Sequence, residues 1–246
     1  MTFREILWNG FSGVEFEFSG LPATVIRPNV KPTGKWALKT EYKDAFPDTE
    51  IELLNRGFHV AFNQNFNRWA EWRDLERKAE FIKFVSEIFD LNEKCVLVGM
   101  SCGGMYAVKL AAICPERIEA LYLDAPVMNL LSCPAGMGVG TDALFDEFFS
   151  FTGISKVDLL SYRDNPIDKM DILLRADIPI VLVAGDSDDV VPYHENGEIL
   201  EKYYKERGGR IKVHIKQDCG HHPHGLADAK IVATEIIEYC GFSENS

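Results

Sequence analysis

Residues 95–104 read Cys-Val-Leu-Val-Gly-Met-Ser-Cys-Gly-Gly, a short apolar run that ends in a glycine-flanked serine. Four apolar residues closed by a glycine suit a buried strand, and Cys102 to Ile113 suits a helix that stops at Pro115. Ser101 then stands on a sharp strand-to-helix turn. G-x-S-x-G in that context lifts a hydroxyl above the end of a sheet. Gly99 and Gly103 remove Cβ atoms that would collide with the neighbouring strand and helix. The helix N-terminus adds partial positive charge and free N–H groups beneath the hydroxyl. Cys102 is a rival nucleophile by chemistry, but one step past the apex it is expected to point into packing.

On both sides of this turn the pattern alternates. Before it come strand candidates at 14–18, 23–26 and 35–38, a short helix from Asp48 to Leu54, a strand at 58–62 and a helix from Arg73 to Phe89. After it come strands at 118–123, 178–183 and 211–215, and a last helix from about Ala227 to Tyr239. Strands alternating with helices imply an α/β domain, a mainly parallel sheet covered on both faces. Right-handed crossovers bring the carboxyl ends of such strands to one edge, where ligands bind. The stretch from about 125 to 176 shows no strand. It holds Pro134-Ala-Gly-Met-Gly-Val-Gly140 and the aromatic Phe145, Phe148, Phe149 and Phe151. A connection this long predicts a small helical lid within a single domain spanning 1–246.

Composition narrows the class. The 246 residues carry 26 basic and 38 acidic side chains, a net charge of −12, which argues against nucleic acid or an anionic membrane as partner. No run approaches a membrane span, and the first ten residues lack a basic segment followed by an apolar one, so a cytoplasmic protein is expected. The six cysteines form no C-x-x-C pair and are expected to be reduced and buried.

A serine hydroxyl needs a base, and the base needs an orienting carboxylate. Strand 178–183 runs into Ala184-Gly-Asp-Ser-Asp-Asp-Val-Val-Pro192, where Asp186, Asp188 and Asp189 compete. Strand 211–215 runs into Lys216-Gln-Asp-Cys-Gly-His-His-Pro-His-Gly225, which holds His221, His222 and His224. Asp124, at the end of 118–123, is a further acid candidate. The histidine run taken as a metal site is unattractive, because closely spaced imidazoles seldom converge on one ion without a loop built for it. The order Ser, Asp, His, each at a strand's carboxyl end, is the informative feature.

With G-M-S-C-G-G (99–104), L-Y-L-D-A-P-V (121–127), N-P-I-D (165–168), G-D-S-D-D-V-V-P (185–192) and G-H-H-P-H-G (220–225), the chain resembles the α/β-hydrolase superfamily. It is similar to bacterial esterase-like members related to the prolyl oligopeptidase and dienelactone hydrolase groups. The resemblance implies Asp188 as the acid, three after the glycine, and His221 as the base, the first histidine after the glycine. His222 and His224 would then be supporting loop residues, and no cofactor or metal is implied.

The backbone N–H of Cys102 is expected to be one oxyanion donor. The loop after strand 35–38 lacks the His-Gly often seen in such proteins; the backbone of Tyr42 or Glu41 is the expected second donor. In the loop 63–72, Trp69 and Asn63 are candidate substrate contacts, against the reading of an ordinary surface loop. The activity expected is that of a serine esterase, a carboxylesterase acting on an ester of a small or medium polar substrate, acetylated sugars among the candidates. A thioesterase, an acyltransferase or a small peptidase would use the same triad, and a ligand-binding protein without catalysis would retain it. The length leaves no room for the propeller domain of prolyl oligopeptidase-type peptidases. The apolar lid leaves two uses open, a cover for substrate or a homodimer interface.

Overall fold

The computed structural model describes residues 1–241. Among them nine strands form one sheet: β1 (Arg4–Trp8), β2 (Phe11–Phe18), β3 (Leu21–Ile26), β4 (Trp36–Lys39), β5 (His59–Asn63), β6 (Cys95–Met100), β7 (Ile118–Asp124), β8 (Ile180–Gly185) and β9 (Ile211–Lys216). Their spatial order is β1-β2-β3-β5-β4-β6-β7-β8-β9. The first three strands meander and β3 joins β5 antiparallel; from β5 to β9 every neighbour is parallel. The helices are α1 (Asp48–Asn55), α2 (Trp72–Ile88), α3 (Cys102–Ile113), α4 (Phe145–Thr152), α5 (Lys156–Leu159), α6 (Met170–Arg175), α7 (Gly197–Glu206) and α8 (Ala229–Tyr239). None of the described helices is long and apolar enough to cross a membrane.

The unbroken apolar runs of the central strands follow from burial on both faces. Leu97, Leu121, Leu123, Ile180 and Leu182 point into one core, with Phe81 and Ile82 of α2 and Met105 and Val108 of α3. Their neighbours Val96, Val98, Ala120, Tyr122, Val181 and Val183 point into the other, with Leu53 of α1 and Val232 and Ile236 of α8. Two layers of helix therefore fix the sheet, and the loops at its carboxyl edge are carried on rigid strands.

Three details differ from the sequence pattern. Apolar alternation does not mark β1, because only Trp8 of its five residues is buried. The better signal is Asn9-Gly10, both at positive φ (47° and 83°), a pair suited to the tight hairpin turn that joins β1 to β2. Strand β8 begins at Ile180 rather than 178, because the Ile178 N–H still donates to Leu173 O and closes the end of α6. The last helix begins at Ala229, where the Asp228 carboxylate caps it by accepting the Lys230 N–H at 3.0 Å.

Residues 125–176 hold α4, α5, a 3-10 turn (Pro166–Lys169) and α6. Phe148 is buried under this segment, whereas Phe149 and Phe151 are exposed. Buried Asn196 ties it to the loop after β8: Oδ1 accepts the N–H groups of Met128 (2.9 Å) and Asn129 (3.0 Å), and Nδ2 donates to Pro192 O (3.0 Å) and Ser132 Oγ (3.2 Å). N-P-I-D is structural as well. Asn165 Oδ1 accepts the Leu130 N–H at 3.1 Å, and the Asp168 carboxylate accepts the Asn165 N–H at 2.9 Å. Asn196→Ala leaves the buried Met128 N–H and the half-buried Asn129 N–H without their acceptor and is expected to lower the unfolding free energy by about 1–3 kcal/mol, measured by urea denaturation.

Candidate active site

Strand β6 enters α3 through Ser101, whose backbone takes φ 52° and ψ −121°. Such a conformation costs a non-glycine residue about 1–3 kcal/mol and persists only where its surroundings enforce it. Here the Ser101 N–H donates to Asp124 O at 2.9 Å, and Ser101 O accepts the N–H groups of Gly104 (2.9 Å) and Val127 (3.0 Å). The Thr40 hydroxyl sits between Val98 O (3.0 Å) and Gly103 O (2.7 Å), bracing strand against helix. A Cβ on Gly99 would lie 2.5 Å from Gly103 O, and one on Gly104 would lie 2.4 Å from Pro126 Cβ. The turn is therefore closed to side chains on both sides.

Three loops meet above it. His221 Nε2 lies 3.0 Å from Ser101 Oγ, and His221 Nδ1 lies 2.8 Å from Asp188 Oδ2. The other oxygen of Asp188 accepts the N–H groups of Val190 (2.9 Å) and Val191 (2.8 Å). All three side chains are nearly buried. The acid and histidine loops are joined directly: Ser187 N–H donates to Cys219 O at 3.0 Å and Asp186 N–H to Lys216 O at 3.1 Å.

Asp124 has a different partner. It is fully buried, and Oδ1 lies 2.9 Å from His224 Nδ1. Its Oδ2 accepts the Gly225 N–H at 2.5 Å and the Tyr122 hydroxyl at 3.1 Å. Two Asp–imidazole pairs thus stand side by side on adjacent strand ends. His222, between them in sequence, is exposed and stacks on Phe46 at 5.5 Å. Partial burial and then the imidazoles of His221 and His224 hold its pKa below the usual histidine range.

A pocket of about 290 Å³ opens over Ser101, lined by Tyr42, Ala45, Phe46, Arg68, Met100, Leu144, Val190 and the three imidazoles. Leu144 comes from the helical segment and Arg68 from the loop after β5. Arg68 pairs with Glu147 of α4 at 2.9 Å, a link between the loop after β5 and the helical segment that the sequence pattern did not single out.

The remaining expected site residues separate. Cys102 is the first residue of α3, so its N–H lacks an intrahelical acceptor, as the first N–H groups of any helix do. Its side chain is fully buried, and burial pushes the thiol up to about 11. Tyr42 lines the pocket at φ 55°, and burial above all, with the Cys102 thiol next, raises its phenol above the ordinary value. Glu41 does not line the pocket; its carboxylate accepts from Asn65 Nδ2. Asn63 and Trp69 need correction as substrate contacts. Asn63 is fully buried, with Oδ1 on the Arg77 guanidinium and Nδ2 donating to Pro22 O at 3.2 Å. Trp69 is 3% exposed and packs edge-on against Phe148 at 5.2 Å. The loop's amides hold β5 and α2 together, which composition alone does not distinguish from a binding loop. All six cysteines are free, and Cys219 alone is not buried.

The sequence model of the prolyl oligopeptidase family matches residues 55–240. No curated protein sequence matches the chain. Among solved structures, a puromycin-hydrolysing peptidase of Mycobacterium tuberculosis superposes with a TM-score of 0.71 at 13% identity, covering 99% of this chain and 40% of that one. An acylaminoacyl peptidase of Pyrococcus horikoshii gives 0.64 at 12% identity, covering 97% and 40%. An S-formylglutathione hydrolase of Agrobacterium tumefaciens gives 0.64 at 13% identity, covering 98% of both chains. The chain spans about 35–40% of the length of the peptidases it matches. At these identities the likeness carries the fold, and the fold is that of the α/β-hydrolases.

A fluorophosphonate is expected to modify Ser101 in the folded protein. At pH 7.5 iodoacetamide is expected to modify Cys219 and spare Cys102, whose thiol is protonated there. Peptide mass spectrometry reads both.

Proposed function

The chain belongs to the prolyl oligopeptidase family, and we propose that it is a serine hydrolase cleaving an ester of a small or medium polar substrate. The observation that carries this is the hydrogen-bonded line from Ser101 Oγ through His221 to Asp188, with links of 3.0 and 2.8 Å, on the floor of a pocket. Such geometry suits a proton passing between the hydroxyl and Nε2, with the carboxylate fixing the tautomer.

Ser101 Oγ attacks the ester carbonyl while His221 Nε2 takes its proton. The oxyanion of the tetrahedral intermediate accepts the Cys102 N–H. Tyr42 gives the second donor, through its N–H or through a phenol that stays protonated at neutral pH. The intermediate collapses, and His221 returns the proton to the departing alcohol oxygen. A water, deprotonated by the same Nε2, then attacks the acyl carbon, the bond from Ser101 Oγ to that carbon breaks, and His221 returns the proton to Oγ as the acid is released. Asp188 stays ionised throughout and stabilises the imidazolium.

Peptide hydrolysis is the second reading, supported by the family and by the peptidase neighbours. The pocket lining favours the ester. It includes Arg68 and no carboxylate, so a free peptide amino terminus would lose its hydration without gaining an ionic partner. An uncharged or anionic ester carries no such penalty. Its volume sits at the small end of ligand sites, which are commonly about 300–1,000 Å³.

With p-nitrophenyl acetate the protein is expected to release a burst of nitrophenol that Ser101→Ala abolishes. Asp188→Asn is expected to lower kcat by about 10³–10⁴-fold by admitting the wrong imidazole tautomer. Short-chain esters should exceed aminoacyl anilides in kcat/KM; the reverse order would replace the ester by the peptide. Tyr42→Phe separates the two donor assignments. A fall in kcat of about 10²–10³-fold assigns the phenol, and an unchanged kcat assigns the backbone.

A further inference from the structure

The histidine loop does more than deliver one base. The rings of His221, His222 and His224 stand at the corners of a triangle, each pair of centroids 4.9 Å apart, with interplanar angles of 62°, 79° and 89°. One nitrogen from each lies within 4.8 Å of the other two. His221 and His224 both present Nδ1 to a buried carboxylate, Asp188 and Asp124. An ionised carboxylate holds the proton on Nδ1 and leaves a lone pair on Nε2. That carboxylate–imidazole arrangement is the one that orients histidine ligands and raises their basicity in metal sites.

We infer that His221, His222 and His224 form a site for a divalent transition-metal ion of the zinc class, and that an ion bound there silences Ser101. Three imidazoles with an open fourth position make a chemically complete zinc ligand set. Tetrahedral zinc at 2.0–2.1 Å from nitrogen needs ligands roughly 3.4 Å apart, so the widest pair must close by about 1.4 Å. His222 is the exposed member of the three, with Phe46 stacked on it at 5.5 Å and the His221 and His224 rings edge-on at 4.9 Å, and rotation of its side chain brings its nitrogen toward theirs. The Nε2 lone pair of His221 that would bind the ion is the one facing Ser101 Oγ at 3.0 Å, a gap too short to hold an ion about 2.0–2.1 Å from the nitrogen, so binding requires the Ser101 hydroxyl to rotate away from the base. A nitrogen bound to zinc cannot accept the serine proton. No covalent bond is made or broken, and removal of the ion restores the base. Magnesium, which prefers oxygen ligands, is not expected to bind.

The effect on reactivity rests on His221 being the base of Ser101; the binding of metal does not. The test therefore uses two readouts. Calorimetric titration of the whole chain with zinc chloride is expected to show one site of micromolar affinity, weakened at least about 10-fold in His222→Asn and kept in Cys219→Ser. His222 is exposed, so asparagine there leaves the cores untouched, while Cys219 Sγ lies 3.9 Å from His222 O and is the rival ligand. The rate of fluorophosphonate labelling of Ser101 is expected to fall at least about 10-fold at saturating zinc, to recover with EDTA, and to resist magnesium. Absence of zinc binding below about 1 mM overturns the inference. So does equal affinity in His222→Asn, loss of the site in Cys219→Ser, or labelling that bound zinc leaves unchanged or accelerates. If the chain never labels even in EDTA, the hydrolase reading fails and the silencing with it, while calorimetry on His222→Asn still decides the metal site.

Discussion

The site depends on one close approach, that of strand β6 to the first turn of α3. With Gly99 and Gly104 bare, the strand end, the helix and the loop after β7 come within a Cβ's reach of one another. That contact forces Ser101 into a backbone conformation that an ordinary residue avoids, and hydrogen bonds from Gly104 and Val127 hold it there. The strain is local, but what enforces it is the whole sheet. The strand is pinned by its parallel neighbours β4 and β7, and the helix by the core beneath it. A hydroxyl held this way loses little further freedom when it reacts, which is where positioning contributes to catalysis.

The same edge carries two buried aspartates. They are equivalent in type, and each faces an imidazole, yet their environments separate them. Asp188 accepts two loop N–H groups and holds His221 over Ser101. Asp124 accepts the Tyr122 hydroxyl and the Gly225 N–H and holds His224. The second pair fixes the base of the histidine loop, so the ring of His221 is set from both sides. A loop crowded with imidazoles is in this way made rigid enough to aim one of them, and the other two remain as donors at the pocket wall.

The pocket is assembled from segments far apart in the chain, and its shape follows from how they are tied. Asn196 uses all of its hydrogen-bonding capacity within the protein to join the loop after β8 to the start of the helical segment. Arg68 and Glu147 join that segment to the loop after β5. Between these ties Ala45, Phe46, Met100, Leu144 and Val190 supply apolar wall, and Arg68, Tyr42 and the imidazoles supply the polar groups.

Much of this was legible without coordinates. The alternation of strand and helix gave a parallel sheet because strands buried on both faces must be apolar throughout. Ser101 stood out on its strand-to-helix turn, and the order Ser, Asp, His at strand ends narrowed the acid and base to the loops 184–192 and 216–225, within which the family resemblance implied Asp188 and His221. The edge strand β1 was not legible from periodicity, since its residues face solvent. Asn63 and Trp69 were misread because amides and aromatics at a strand end look the same whether they meet substrate or the protein itself; only packing shows the Asn63 amide engaged inside and the Trp69 ring buried against Phe148. The partners of Asp124, the link from Arg68 to Glu147 and the convergence of three imidazoles are contacts between residues many positions apart or on differently turned rings. Local sequence determines where each chemical group sits along the chain and on which strand end. Which group faces which across the edge depends on loop closure in three dimensions, and the tertiary structure alone decides it.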